Sequence, residues 1–176
     1  MKTPKVLNKR TAYDGKIVGV DIVTIDDEGV VYEREIIEHP GSAVVIPLFE
    51  NRDVMLIRQY RHAAGEYLYE VPAGTLESGE SPESCAVREL SEETGLGCRS
   101  IEKLTEFYVS PGFLGEKMHL FLATDLFEKP GNLDEDEILE PMRINLSAAL
   151  EMMEGGKIPD AKTIIALNML ARRFQM

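Results

Sequence analysis

Between Gly74 and Gly95 the chain reads GTLESGESPESCAVRELSEETG, which holds Glu77, Glu80, Glu83, Glu89, Glu92 and Glu93 against a single base, Arg88. Carboxylates this dense either grip a hard cation or form a solvated face. The helix signals here are strong. Ser81 is a capping residue, Pro82 suits the first helical position, and Gly95 suits a left-handed stop. At about 100° per residue, Ala86, Leu90, Val87 and Thr94 fall on one side, the side expected to face the core. Glu89 and Glu93 lie one above the other at its margin, and Glu92 sits roughly 60° further round. Three carboxylates therefore share one flank. Like charges four residues apart repel, and acidic groups in the final turns meet the negative end of the helix dipole. A bound divalent cation removes both penalties. Oxygen-only ligands suit Mg²⁺ or Mn²⁺, which also accept phosphate oxygens. The residues alone leave a second reading open, a surface helix held by Arg88. In either case Arg88 is placed to fix the glutamate rotamers through ion pairs.

The elements that must position this helix follow from pattern. KIVGVDIVTI and VVYEREIIE flank an acidic turn ending at Gly29 and predict a β-hairpin. HPGS at residues 39–42 breaks the pattern and separates an N-terminal extension, 1–40, from the main domain, 41–176. SAVVIPLFE and DVMLIRQY predict buried strands joined by the Asn51-Arg52 turn, and a short apolar run around Tyr67–Val71 precedes the loop PAGTLESGES. IEKLTEFYV and MHLFLATDL predict further strands, and ILEPMRI an edge strand where Pro141 is tolerated. Helices are predicted over Ser147–Glu154 and from an Asp160 cap to about Phe174. Without a regular β-α-β alternation or a repeat, the pattern predicts a mixed sheet with helices against it, not a doubly wound fold.

A length of 176 residues suits one domain with a small appendage. The net charge of −12 repels polyanions and anionic lipid, which argues against nucleic-acid and membrane partners. A phosphate-bearing partner would need a cation between it and the protein; otherwise the charge serves only solubility. No apolar run approaches the ~20 residues of a membrane helix. The opening MKTPKVLNKR lacks a signal-peptide core, so a cytoplasmic location is expected. Cys85 and Cys98 fit neither a disulfide framework nor a zinc pattern and are read as packed thiols. His39, His62 and His119 are scattered without ligand spacing.

Gly74, five residues, Glu80, seven residues, Arg88-Glu89-Leu90, one residue, Glu92-Glu93, one residue and Gly95-Leu96 together resemble the Nudix box at every fixed position. The resemblance implies the Nudix fold, an α/β/α sandwich around a mixed sheet, with a loop–helix–loop that binds Mg²⁺ and a reaction on nucleoside diphosphates linked to another moiety. YRHAAGEYLYEVPAG ahead of the box, Pro111 sixteen residues beyond Gly95 in YVSPGFLGE, and LDEDEILE at 133–140 resemble the ADP-ribose pyrophosphatase subgroup. The N-terminal hairpin is similar to the segment that subgroup exchanges across a homodimer.

Carried over by position, the resemblance implies Glu89, Glu93 and the Ala73 carbonyl as metal ligands, with Glu92 holding a metal or its water. It implies Glu135 as general base and Glu137 as a supporting metal contact. Arg61, Ser110, Pro111, Gly112 and Glu116 match substrate contacts, and Arg34 and Glu35 match positions that reach the neighbouring subunit's adenosine. Ile17 stands where some relatives place an aromatic side chain on adenine. Taken alone, SPG is an ordinary turn, LDEDE a solvated loop, and Arg58 and Arg61 are as well suited to the surface. The activity this implies is Mg²⁺-dependent hydrolysis of ADP-ribose to AMP and ribose 5-phosphate. Two alternatives are a Nudix hydrolase for another sugar nucleotide such as GDP-mannose, and a regulatory ADP-ribose-binding module that has lost catalysis.

Overall fold

The computed structural model describes residues 2–129, 131 and 138–176. These residues form ten strands and three helices in two compact units, Met1–Gly41 with Phe107–Met118, and Ser42–Glu106 with His119–Met176.

In the first unit, strands β1 (Lys5–Asp14), β2 (Gly19–Asp27) and β3 (Val30–Glu38) make an antiparallel sheet in that order. The β2–β3 turn is closed by Glu28 at φ 53° and Gly29 at φ 90°. Two successive left-handed residues match the right-handed twist of the flanking strands. The extension is thus more than the predicted hairpin, because β1 adds a third strand. All ten residues of β1 are exposed, so no apolar alternation marked it in the sequence. A buried anchor holds it: Asp21 accepts a hydrogen bond from Thr11 Oγ1 at 2.8 Å and pairs with Lys9 at 2.9 Å. Ile37 N–H donates to the Phe113 carbonyl at 2.7 Å, and Gly115 N–H to the Ile37 carbonyl at 2.9 Å. Through these bonds residues 107–118 join β3, a long-range partnership that turn residues do not advertise.

The second unit contains β4 (Ser42–Pro47), β5 (Asp53–Arg61), β6 (Glu66–Glu70), β7 (Ala73–Thr75), α1 (Pro82–Thr94), β10 (Leu139–Asn145), α2 (Leu146–Glu154) and α3 (Ala161–Phe174), together with all but two residues each of β8 (Leu96–Tyr108) and β9 (Lys117–Glu128). One sheet runs β7-β4-β9-β8 and another β10-β5-β6. The Asn51-Arg52 turn joins β4 to β5 as expected, yet the two strands belong to different sheets. Every residue of β4 is buried, as a strand covered on both faces requires. β7 is a correction to the predicted loop at 72–81: its three residues pair antiparallel with Ser42–Val44. β10 is an edge strand, and Pro141 lies opposite Ile57 there. Helix α1 packs on β4 and β7, α2 on β10 and α3, and α3 on β6. Among the described residues no helix is long and apolar enough to cross a membrane.

The caps of α1 are as predicted. Ser81 Oγ accepts from Ser84 N–H at 3.1 Å, and Gly95, at φ 69°, donates its N–H to the Ser91 carbonyl at 3.0 Å. The buried face differs in rotation. Cys85, Ala86 and Leu90 pack with Ala43, Val45, Phe121 and Ala123, whereas Val87 and Thr94 are half-buried. Fully burying Leu90 contributes about 1.5–3 kcal/mol. Burial pushes the Cys85 thiol up to about 12, so it is an inert packing group at neutral pH.

Candidate active site

The inward rotation of α1 carries two carboxylates with it. Glu93 is 2% exposed and Glu89 7%, although both are ionisable and one turn apart. Glu93 Oε2 accepts a hydrogen bond from Ala73 N–H at 2.9 Å, which docks the end of α1 on the start of β7. Glu89 lies hard against Gly74: a Cβ built there would stand 1.7 Å from Glu89 Oε1 and 2.0 Å from its Cδ. Only a residue without a side chain leaves that carboxylate its place.

Arg88 organises the rest. Its Nη1 donates to Glu89 Oε1 at 2.6 Å and to Glu92 Oε2 at 2.9 Å. Its Nε and Nη2 clamp the two oxygens of Glu80 at 3.0 and 3.1 Å. Nη2 also reaches the Thr75 carbonyl at 3.3 Å. Glu80 in turn accepts from Glu77 N–H at 3.1 Å, so one guanidinium closes the loop between β7 and α1 and holds three glutamates. The Glu80 hydrogen bonds, with Glu89 and Glu92, raise the arginine's pKa further, and the Arg88 hydrogen bonds hold the Glu80 carboxyl below its ordinary value.

Arg61, at the end of β5, is not a loose surface base. Its Nε and Nη2 bind both oxygens of Glu70 at 2.7 and 2.8 Å, a bidentate pair. Hydrogen bonding to Glu70 raises the Arg61 pKa, and the charges of Glu70, Glu93 and Asp160 add to that rise. Arg58 instead pairs with Glu140 at 3.5 Å and covers the Tyr67 ring at 4.2 Å. Sequence reasoning missed Glu70, which is 1% exposed, and Lys162, buried at the start of α3 and in contact with Glu70. A period-two reading of EYLYE offers the one available signal, since it puts Glu70 on the same face as Leu68.

The remaining predicted residues divide into two sets. Glu135 and Glu137 lie outside the described residues. In the first unit, Arg34, Glu35 and Gly112 line one cavity of about 650 Å³ together with Val20, Ile22 and Phe113. Ser110 accepts N–H groups of Phe113 and Leu114 at 3.2 and 3.0 Å, and Pro111 is exposed beside it. Glu116 stands 4.0 Å from His39 Nδ1. Ile17 is 64% exposed in the β1–β2 turn and is not among the residues lining that cavity. His119 is half-buried, 3.4 Å from Glu106.

Among the described residues no group of three His, Cys, Asp or Glu side chains converges as a ready-made ion cage. Mg²⁺ does not require one, because it binds through one or two carboxylates and completes its shell with waters and substrate phosphates. The all-oxygen chemistry of Glu89, Glu93 and the β7 backbone, together with the space that Gly74 leaves for Glu89, fits that ion.

The NUDIX domain model matches residues 39–166. The chain belongs to the Nudix family. Among its relatives, the ADP-ribose pyrophosphatase of Bacillus subtilis (strain 168) is 38% identical over 169 residues, 94% of this chain and 91% of that protein. The methanol dehydrogenase activator of Bacillus methanolicus is 36% identical with the same coverage. The GDP-mannose pyrophosphatase of Shigella flexneri is 35% identical over 160 residues, 85% of this chain and 83% of that protein. The solved structure of an ADP compounds hydrolase superposes with a TM-score of 0.87 at 25% identity, covering 99% of this chain and 96% of that one. The fold class is the predicted Nudix α/β fold.

The Glu70 pair makes a prediction about stability. Burial pushes the Glu70 carboxyl up, but the Arg61 hydrogen bonds and the Lys162 charge outweigh burial and hold it below its ordinary value of 4.5. A carboxylate with a lowered folded-state pKa contributes stability that is fully present above the unfolded value and lost as pH falls through the folded one. Urea midpoints are therefore expected to stay level from pH 7 to about 5 and to fall below about 4.5. Glu70→Gln should make that acid-side fall shallower. An unchanged slope in the variant would show that Glu70 does not carry this linkage.

Proposed function

We propose that this Nudix protein hydrolyses ADP-ribose to AMP and ribose 5-phosphate, with residues 41–176 as the hydrolase domain and residues 1–40 as a dimerisation arm. The observation that carries the proposal is the buried pair Glu89 and Glu93 on α1, seated by Gly74 and Ala73, in a chain that resembles an ADP-ribose pyrophosphatase over nearly its whole length. Burying two carboxylates one turn apart is costly unless a cation shares them.

Glu89, Glu93 and the Ala73 carbonyl would hold Mg²⁺ (or Mn²⁺), with Glu92 and Glu137 in support. When bound, the ion neutralises diphosphate charge and makes water more acidic. Arg88 keeps Glu89 and Glu92 in fixed rotamers. Arg61 spends two N–H donors on Glu70 and has three left for the bridging diphosphate. Glu135 takes a proton from the attacking water. The water oxygen bonds to one phosphorus as the bridging P–O bond breaks, and the other phosphate ester departs. Ser110, Pro111, Gly112 and Glu116 are the substrate contacts the resemblance implies, and Arg34, Glu35 and Ile17 receive the adenosine across the dimer. Two free thiols suit a cytoplasmic location.

The test is product analysis of the purified protein with ADP-ribose and Mg²⁺, on material sized by light scattering. Equal amounts of AMP and ribose 5-phosphate from a particle of two chains are expected. The 35% identity to a GDP-mannose pyrophosphatase supports a second reading, hydrolysis of that sugar nucleotide, and faster turnover of GDP-mannose would replace the first. Binding of ADP-ribose without release of AMP would favour the silent regulatory module.

A further inference from the structure

Lys162 is 7% exposed, unusual for a lysine two residues into a terminal helix. Its Nζ contacts Glu70 Oε2, the oxygen that also accepts from Arg61 Nη2, and reaches Asp160 Oδ1 at 3.1 Å. Asp160 caps α3: its Oδ2 accepts from Thr163 N–H at 3.0 Å and from the Thr163 hydroxyl at 2.6 Å. That hydroxyl accepts from Val71 N–H at 2.8 Å. The first turn of α3 is thus fastened to Glu70 and Val71, two residues before the backbone that meets Glu93.

The charges in this chain alternate: Arg61 positive, Glu70 negative, Lys162 positive, Asp160 negative. Glu70 divides its negative charge between two cations, so Arg61 is only partly neutralised. If stability were the only demand, apolar residues could fill this volume at similar or lower cost. We propose that Lys162 is a positioning residue which, through Glu70, sets how much of the Arg61 charge and which of its N–H donors face the substrate diphosphate. The inference rests on the proposed role of Arg61 and adds to it the device that keeps the arginine available. Without Lys162, the whole Glu70 charge falls on Arg61, and one uncompensated negative charge is left beside an anionic substrate.

Lys162→Met should raise KM for ADP-ribose about tenfold, the size of effect that one uncompensated unit charge exerts on a nearby anion. Its kcat should change by less than about threefold, because the groups on α1 are untouched. Calorimetric affinity for a non-cleavable ADP-ribose mimic in Mg²⁺, where no turnover occurs, should weaken by the same factor. The double variant Glu70→Gln/Lys162→Met removes both charges and should return KM to within about threefold of the parent. A purely structural bracket predicts the reverse, with the double variant at least as impaired as the single one. If the single variant does not fold, the double variant, which leaves the net charge of Arg61, Glu70, Lys162 and Asp160 together unchanged at zero, decides the matter by its KM alone. An active parent with an unaffected Lys162→Met, or a double variant with KM still raised tenfold, overturns this inference and leaves the proposed function standing. A parent that neither binds nor cleaves ADP-ribose overturns both.

Discussion

Glu93→Gln is expected to lower kcat for ADP-ribose by about 10³-fold, roughly 4 kcal/mol of lost transition-state stabilisation, while the melting temperature stays within a few degrees of the parent. The two halves of that result have separate physical causes. Glu93 is 2% exposed, and one of its oxygens receives the Ala73 N–H at 2.9 Å. Glutamine has the same shape, and its amide oxygen can keep that hydrogen bond, so β7 remains docked on α1. What disappears is one negative charge from a buried pair. With no ion bound, losing that charge relieves repulsion from Glu89, so the fold has no reason to weaken. With Mg²⁺ bound, the same charge is part of what holds the ion. A circular dichroism melt and a steady-state assay on the same preparation separate the two effects. Parental turnover in the variant would remove Glu93 from the chemistry. A large fall in melting temperature would make it a structural residue.

How far the sequence reveals this site depends on the distance over which each contact acts. The caps of α1 are legible because Ser81, Pro82 and Gly95 act within a turn of their own positions, and Asp160 marks the start of α3 for the same reason. The alignment of Glu89 with Glu93 follows from helical geometry alone. Their burial does not. It depends on β7, and those three residues read as loop because PAG resembles a turn until the partner strand at Ser42–Val44 is known. The predicted core face included Val87 and omitted Cys85; a helical wheel ranks polarity, whereas packing selects the small thiol that fits among Ala43, Val45 and Phe121. Strand β1 left no pattern because it has no buried face. Glu70 and Lys162 were invisible as a pair. Ninety-two residues separate them, and each alone reads as an ordinary surface charge. The sequence therefore exposes groups whose spacing is local and hides the partners that tune them.

Gly74→Ala tests whether space at β7, and not charge alone, determines the site. The added methyl would stand 1.7 Å from Glu89 Oε1, far inside any non-bonded contact, so either the carboxylate or the strand must move. The strand is constrained, since Ala73 and Gly74 pair with Val44 and Ala43 in the sheet. The side chain is constrained too, by Arg88 at 2.6 Å and by burial. Overpacking of this kind costs about 1–3 kcal/mol of stability. A carboxylate displaced by about 1 Å should cost roughly 10²-fold in kcat/KM and shift the Mg²⁺ activation midpoint to higher concentration. Gly79→Ala supplies the contrast. Gly79 has φ 79° and nothing within 4 Å of its missing Cβ, so alanine there meets strain in the left-handed region but no neighbour. That variant should lose about 1–2 kcal/mol of stability and keep its magnesium midpoint. If both variants shift the midpoint equally, the effect belongs to a loosened loop; if Gly74→Ala leaves rate and midpoint unchanged, Glu89 does not need the place that Gly74 gives it.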